Sequence, residues 1–268
     1  MKKHLLSLAM AGVALTLIFN SGTALADPVV FEVSGATAAD IKATVTAFRA
    51  HLGKNNGIGG TFIGGRREIN WDGVPDQFAA PNLMPANFFN SNSPRGAVFF
   101  TPGSGFQISA NSVNPTNTPV RFGNIRSNFP NIFSTFSPQR LFTALDSNIT
   151  EALFFIPGTT QSARVRGFGV VFTDVNSDNS TTIEYLDVNG NLLASRDVLP
   201  GPNVRGSLSF LGIAFDSPEV FLVRIISGNT ILKTPATVTG IESSTADLTS
   251  TQDVVVMDDF IYGEPRAL

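Results

Sequence analysis

The stretch ARVRGFGVVFTDVNSDNSTTIEYLDVNGNLLASRDV, residues 163–198, decides the fold class. Its apolar residues fall in short runs of Val, Ile, Phe, Tyr and Leu, cut by Asp, Asn, Ser and Gly, as in strands joined by turns. Asp187-Val188-Asn189-Gly190 reads as a hairpin turn, because Asn-Gly accepts positive φ at both central positions. On either side the same punctuation recurs. REINWDG, AVFFTPG, FQISAN, QRLFTAL and EALFFIPG precede the stretch; LSFLGIAF, VFLVRIISG and VVVMDDFIYG follow it. No βα alternation, internal repeat or low-complexity linker interrupts them.

One segment has a different period. In TAADIKATVTAFRAHLG, Ile41, Val45, Phe48 and Leu52 share a helix face. Thr37 with Asp40 resembles a capping box and Gly53 supplies a stop. The glycine-rich NNGIGGTFIGG that follows lacks the lysine-serine pair of a phosphate-cradling loop. The pattern predicts a mainly β protein, an antiparallel β-sandwich of jelly-roll type with one N-terminal amphipathic helix. Residues 27–65 supply an N-terminal strand, the helix and the Gly-rich loop, packed on a sandwich domain of residues 66–268.

Residues 1–26 read as a cleavable signal peptide. Met1-Lys2-Lys3-His4 is basic, Leu5 to Phe19 is apolar, and Ala24-Leu25-Ala26 is a small-x-small cleavage site. The apolar run is shorter than the ~20 residues a spanning helix needs. The mature chain is expected to begin at Asp27, secreted or periplasmic, without a lipid anchor and not embedded in a membrane.

Removing those 26 residues leaves 242 of the 268, with 16 basic against 21 acidic residues. A net charge of −5 lacks the basic footprint that a nucleic-acid partner requires. The chain has no Cys, and His51 is the sole histidine beyond the leader, which excludes zinc sites built on Cys or several His. A Ser-His-Asp triad would have to use His51, and no G-x-S-x-G elbow accompanies it. Burial alone must hold the fold, and 23 Phe residues are its expected bulk.

GRREINWDGVPD, FFNSNSPRGAVFFTPGSGFQISA and the closing VVVMDDFIYGEP resemble a family of uncharacterised exported bacterial β-sandwich proteins. The resemblance covers most of the mature chain and implies a β-sandwich and export. The last strand is also similar to the closing strand of jelly-roll carbohydrate-binding modules. In those a carboxylate at this place can help hold a structural calcium.

Three constellations carry chemistry. In the closing strand, alternation puts Val254, Val256, Asp258, Phe260 and Tyr262 on one face and Val255, Met257, Asp259 and Ile261 on the other. Asp258 and Asp259 are therefore expected apart, one of them facing the core against a cation such as Arg224, a calcium ion or backbone donors. In DVNSDNS, Asp174, Asn176 and Asp178 have the odd-position oxygen spacing of a calcium loop. Asn179 stands in the glycine's place and Tyr185 in that of the closing Glu, so a plain turn is the competing reading. In INWDGVPD, Trp71 reads as a stacking platform for a sugar or as a core anchor, with Arg67, Asp72 and the distant Tyr185 as further ligand contacts. Glu68 and Asp72 would lie ~13 Å apart at ~3.3 Å per residue, beyond the ~5–9.5 Å of glycosidase carboxylates.

Two function classes remain. One is a secreted non-catalytic module that binds extracellular polysaccharide or matrix, or is a matrix component. The other is a polysaccharide-active hydrolase or lyase on the same scaffold, with structural calcium.

Overall fold

The computed structural model describes residues 28–233 and 252–268; the signal-peptide reading of residues 1–26 lies outside the described residues. Strand formation follows the quoted runs, and two antiparallel sheets result. The larger has the order β1 (Val29–Gly35), β11 (Leu208–Ala214), β8 (Gly167–Thr173), β13 (Val256–Gly263), β5 (Phe142–Leu145) and β4 (Gly105–Ile108), with β2 (Arg66–Ile69) also paired to β13. The smaller runs β10 (Leu192–Asp197), β9 (Thr182–Leu186), β12 (Leu222–Ile226), β6 (Ile149–Phe154), β3 (Ala97–Phe100). A two-stranded ribbon joins β7 (Ala163–Arg164) to β14 (Arg266–Ala267).

The connectivity is that of a jelly roll. The neighbours β5-β13-β8-β11 in one sheet face β6-β12-β9-β10 in the other, and the chain crosses between sheets as two interlocked Greek keys. β1, β3 and β4 extend the edges, while β2 pairs with the interior strand β13 beyond the end of β5. Asp187 to Asn191 closes the β9–β10 hairpin as expected, although only Gly190 takes a positive φ, 80°.

Burial explains which strands alternate. β6 and β9 show strict in–out alternation, since one face meets the core and the other meets solvent. β8, β11 and β13 are buried along their whole length. Their second face lies under α1 (Ala38–Leu52), whose Ile41, Val45, Phe48 and Leu52 pack on Val171, Phe210 and Ile261. Gly169 and Gly212 are partners in the β11–β8 ladder beneath Phe48. A Cβ at Gly169 would lie 2.8 Å from the Phe48 ring, so bare backbone is what lets the helix approach. At the N-terminus of α1 the Asp40 carboxylate accepts the Thr37 N–H (2.8 Å) and hydroxyl (2.9 Å), completing the predicted cap. No helix among the described residues is long and apolar enough to cross a membrane.

Between the sheets lies an aromatic core centred on Trp71, at 1% exposure. Its ring stacks on Phe142 at 4.2 Å and meets Phe260 edge-on at 4.9 Å. Such pairs add ~0.5–1.5 kcal/mol each beyond area burial. Trp71 therefore anchors the core, and its faces are closed to a sugar ring.

Candidate functional site

The closing strand carries the departure from simple alternation. β13 pairs with β8 through Met257↔Phe172 and then Phe260↔Val170, so Asp258 and Asp259 together oppose a single residue. This is a β-bulge. It shifts the side-chain parity by one. Val255, Met257, Phe260 and Tyr262 all enter the inter-sheet core, while Val256 and Ile261 belong to clusters on the other side. The expected separation of the two carboxyls onto opposite faces is thus corrected: both turn to the helix side, within hydrogen-bonding reach of each other. The bulge sits where β13 changes its lateral partner, β5 at Met257 and β2 from Phe260 onward.

Asp258 is fully buried. Its Oδ2 accepts the Phe136 N–H at 2.6 Å and the Ser137 N–H at 3.2 Å, and its Oδ1 accepts the Ser137 hydroxyl at 3.0 Å. The Trp71 Nε1–H donates to its backbone carbonyl at 2.7 Å. Asp259 faces α1, where Arg49 Nη2 meets its Oδ2 at 2.7 Å. Its other oxygen, Oδ1, is buried and meets no donor in the protein. Arg224, the cation expected from the sequence, is on the outer face of the smaller sheet with Glu151 (2.7 Å) and Glu184 (3.3 Å).

The same Arg49 Nη2 contacts Glu68 Oε2 at 3.0 Å, and Glu68 Oε1 takes Arg66 Nε at 2.5 Å. Glu68 is brought there by the β13–β2 ladder, opposite Ile261. Burial drives the Asp258 carboxyl well above the usual carboxylate range, and the negative charge of Asp259 pushes it further. Burial also raises Asp259, against the opposing pull of Ser137 and Arg49. Asp72 is raised as well, first by burial.

Arg49, Glu68 and Asp259 stand in the wall of a cleft of about 620 Å³, bounded by α1, β2 and residues 136–138. Lys42, Arg49, Asn70, Phe136, Ser137 and Asp259 line it. Phe136 is half-buried and its ring lies 5.8 Å from the Arg49 guanidinium. It is the aromatic that sequence reasoning missed; no local signal marks it, since its position depends on the long excursion between β4 and β5.

The other ligand candidates belong to the fold. Arg67 is buried, and its guanidinium holds Glu264 through two 2.6 Å bonds. Its remaining donors go to the carbonyls of Gly57, Gly59 and Gly60, at 2.9, 2.7 and 3.0 Å. The Gly-rich loop thus wraps a cation with its carbonyls, and no donor of Arg67 is left for a ligand. Tyr185 is fully buried, its hydroxyl donating to the Phe168 carbonyl at 2.9 Å. Asp72 is half-buried and accepts the Arg140 N–H at 3.1 Å.

The DVNSDNS loop has the wrong polarity for calcium. Its backbone N–H groups at Asn176 and Ser177 converge on the Asp253 carboxylate, which the Ser180 hydroxyl also reaches at 2.5 Å. Asp174 turns instead to the Gly206 N–H, with a pKa pushed up to about 6 by burial, and Asp178 is exposed. The loop's donors are thus taken up by a carboxylate of the protein itself, as in a turn closed from a distance. Among the described residues no group of three or more His, Asp or Glu is placed to hold a metal ion, Asp258 and Asp259 included.

The chain matches no protein-family model, and a comparison with curated proteins found no similar sequence.

Proposed function

We propose that the chain is a secreted, non-catalytic β-sandwich module that binds a hydroxyl-rich ligand, of polysaccharide or matrix type, in the cleft between α1, β2 and residues 136–138. The cleft itself carries this reading. Its volume of about 620 Å³ falls in the ~300–1,000 Å³ range of ligand sites. Lys42 and Asn70 are exposed on its rim, and Phe136 offers an aromatic edge. The jelly roll is a common scaffold for sugar-binding domains, which supports the reading by analogy of fold alone. Export, by cleavage after Ala26, belongs to the same proposal, as does membership of the exported family that the sequence resembles.

A binding role suits the carboxyls better than turnover does. Asp258 is spent on three donors, and Asp259 is tied to Arg49. One observation favours the second reading, a polysaccharide-active enzyme. Glu68 and Asp259 contact the same Arg49 nitrogen at 3.0 and 2.7 Å, which caps the distance between those oxygens at about 5.7 Å, near the ~5–5.5 Å of retaining glycosidases. Calcium is no part of either reading, because Asp253 occupies the only loop with calcium-like spacing that the sequence suggested.

The test is a glycan array probed with the mature chain, with and without EDTA, and with a Lys42→Ala/Asn70→Ala variant. Retention that EDTA leaves intact and the variant loses is the expected result. Retention that survives the variant would move the site elsewhere, and release of shortened glycan would favour the enzyme.

A further inference from the structure

We propose that Asp258 and Asp259 hold a single proton between them, and that this proton latches the wall of the cleft to β13. The inference rests on the bulge and its neighbours and stands whether or not the cleft binds glycan.

The geometry of the orphan oxygen comes first. Asp259 Oδ1 is shut off from solvent and has no donor, a costly state for a carboxylate oxygen. The adjacent carboxyl is Asp258, turned to the same side by the bulge. A proton on Asp258 supplies the missing donor. Charge gives the second line. The groups facing the pair are Arg49 from α1, with Lys42 on the rim; Glu68 and Arg66 from β2; and Ser137 from the 136–138 segment. Asp72 and Arg140 stand beyond, paired with each other through the backbone, with the Arg140 guanidinium on Asp76 at 2.5 Å. Arg95 also lines the cleft. Three carboxyls, Asp258, Asp259 and Glu68, thus share two guanidinium groups, Arg49 and Arg66. One retained proton balances the cluster. The raised pKa of Asp258, caused by burial and by Asp259, agrees with this.

The proton has a mechanical role because of what the pair fastens. Asp258 holds the amides of Phe136 and Ser137, and Asp259 holds α1 through Arg49. When the proton leaves, two adjacent buried charges repel and Oδ1 loses its donor. The folded-state pKa is raised, so the latch is fully made below the ordinary carboxylate range and is lost as pH rises through the pair's own titration. As pH rises through that titration, repulsion between the carboxylates should outweigh the firmer hold of the Phe136 and Ser137 donors on an ionised Asp258, loosening residues 136–138 and opening the cleft.

Trp71 is a built-in reporter: it is the only tryptophan, and its Nε1 bonds the Asp258 carbonyl. Its fluorescence in the mature chain should show one transition with pH, above the usual carboxylate value of ~4. The protection of the Phe136 and Ser137 amides, taken relative to the intrinsic base-catalysed exchange rate at each pH, should fall across the same range. Asp258→Asn should abolish the transition and Asp72→Asn should retain it. Glu68→Gln should lower its midpoint, because Arg49 then serves the pair alone. The proposal is overturned by a flat parent profile, by unchanged protection at Phe136 and Ser137, by a transition that survives Asp258→Asn, or by one that Asp72→Asn removes. If Asp258→Asn does not fold, Glu68→Gln decides, and an unmoved midpoint refutes the shared proton.

Discussion

Replacing Arg49 with Met removes the only cation among the described residues that contacts the buried pair, while keeping an apolar stem against α1. Breaking a buried ion pair by deleting one partner costs ~3–5 kcal/mol, since the other charge is left uncompensated. Arg49 is 23% exposed and its partner Asp259 4%, so solvent screening lowers the expected loss to roughly 2–3 kcal/mol. At ~2–4 °C per kcal/mol for a domain of this size, the midpoint should fall by about 4–12 °C at neutral pH. The sign of the pH dependence separates this mechanism from lost packing. Without Arg49 the Asp259 carboxyl is raised further, so its contribution to stability is present at acid pH and lost as pH rises through the folded value. The deficit relative to the parent should therefore shrink towards pH ~4 and reach its full size near neutrality. Thermal melts of both proteins across that range measure it. A deficit equal at every pH would refute the electrostatic reasoning and leave only packing.

Other consequences follow from the core and the loops. Trp71→Phe should cost ~1–3 kcal/mol, because the buried Asp258 carbonyl loses the donor at 2.7 Å; denaturant melts measure this. If the cleft is the site, the same variant should keep any glycan retention on an affinity gel. Gly169→Ala should destabilise by ~1–3 kcal/mol through overpacking against Phe48, with the loss reduced when Phe48 is shortened to Leu. Millimolar calcium after EDTA should leave the melting midpoint unmoved, since Asp253 already fills the DVNSDNS loop; a rise of a few degrees would restore the metal reading. N-terminal sequencing of exported material should begin at Asp27, and an intact Met1 would contradict export by cleavage.

Much of the fold was legible because burial writes itself into strand composition. The runs around TTIEYLDVNG and EALFFIPG carry strands with alternating burial, and Ile41, Val45, Phe48 and Leu52 form the buried stripe of α1. The site was less legible because a bulge is a change of count. In VMDDFIY the apolar residues Met257 and Phe260 are three apart, so strict alternation places Asp258 with Phe260 and Tyr262 in the core. That conflict was the available signal, since one extra residue sends both acids out while Val255, Met257, Phe260 and Tyr262 all stay in. Arg67 gave a similar sign: alternation from Ile69 puts it on the core face, and only Glu264, 197 residues away, makes that tolerable. Arg224 misled because Leu222 and Ile226 beside it are apolar yet lie on the outer face, while Val223 and Ile225 fill the core. Phe136 and the Asp253 plug depend on chain that returns from far away, which no local pattern encodes.

Whether the cleft is the binding site is open to direct mapping. The isotope-labelled mature chain can be titrated with a mixture of soluble oligosaccharides while its amide resonances are followed. Shifts confined to Lys42, Glu68 to Asn70, Phe136 and Ser137, absent in Lys42→Ala/Asn70→Ala, are the predicted result. Shifts on the outer face of β9, β10 and β12 instead, or none at saturating sugar, would contradict it.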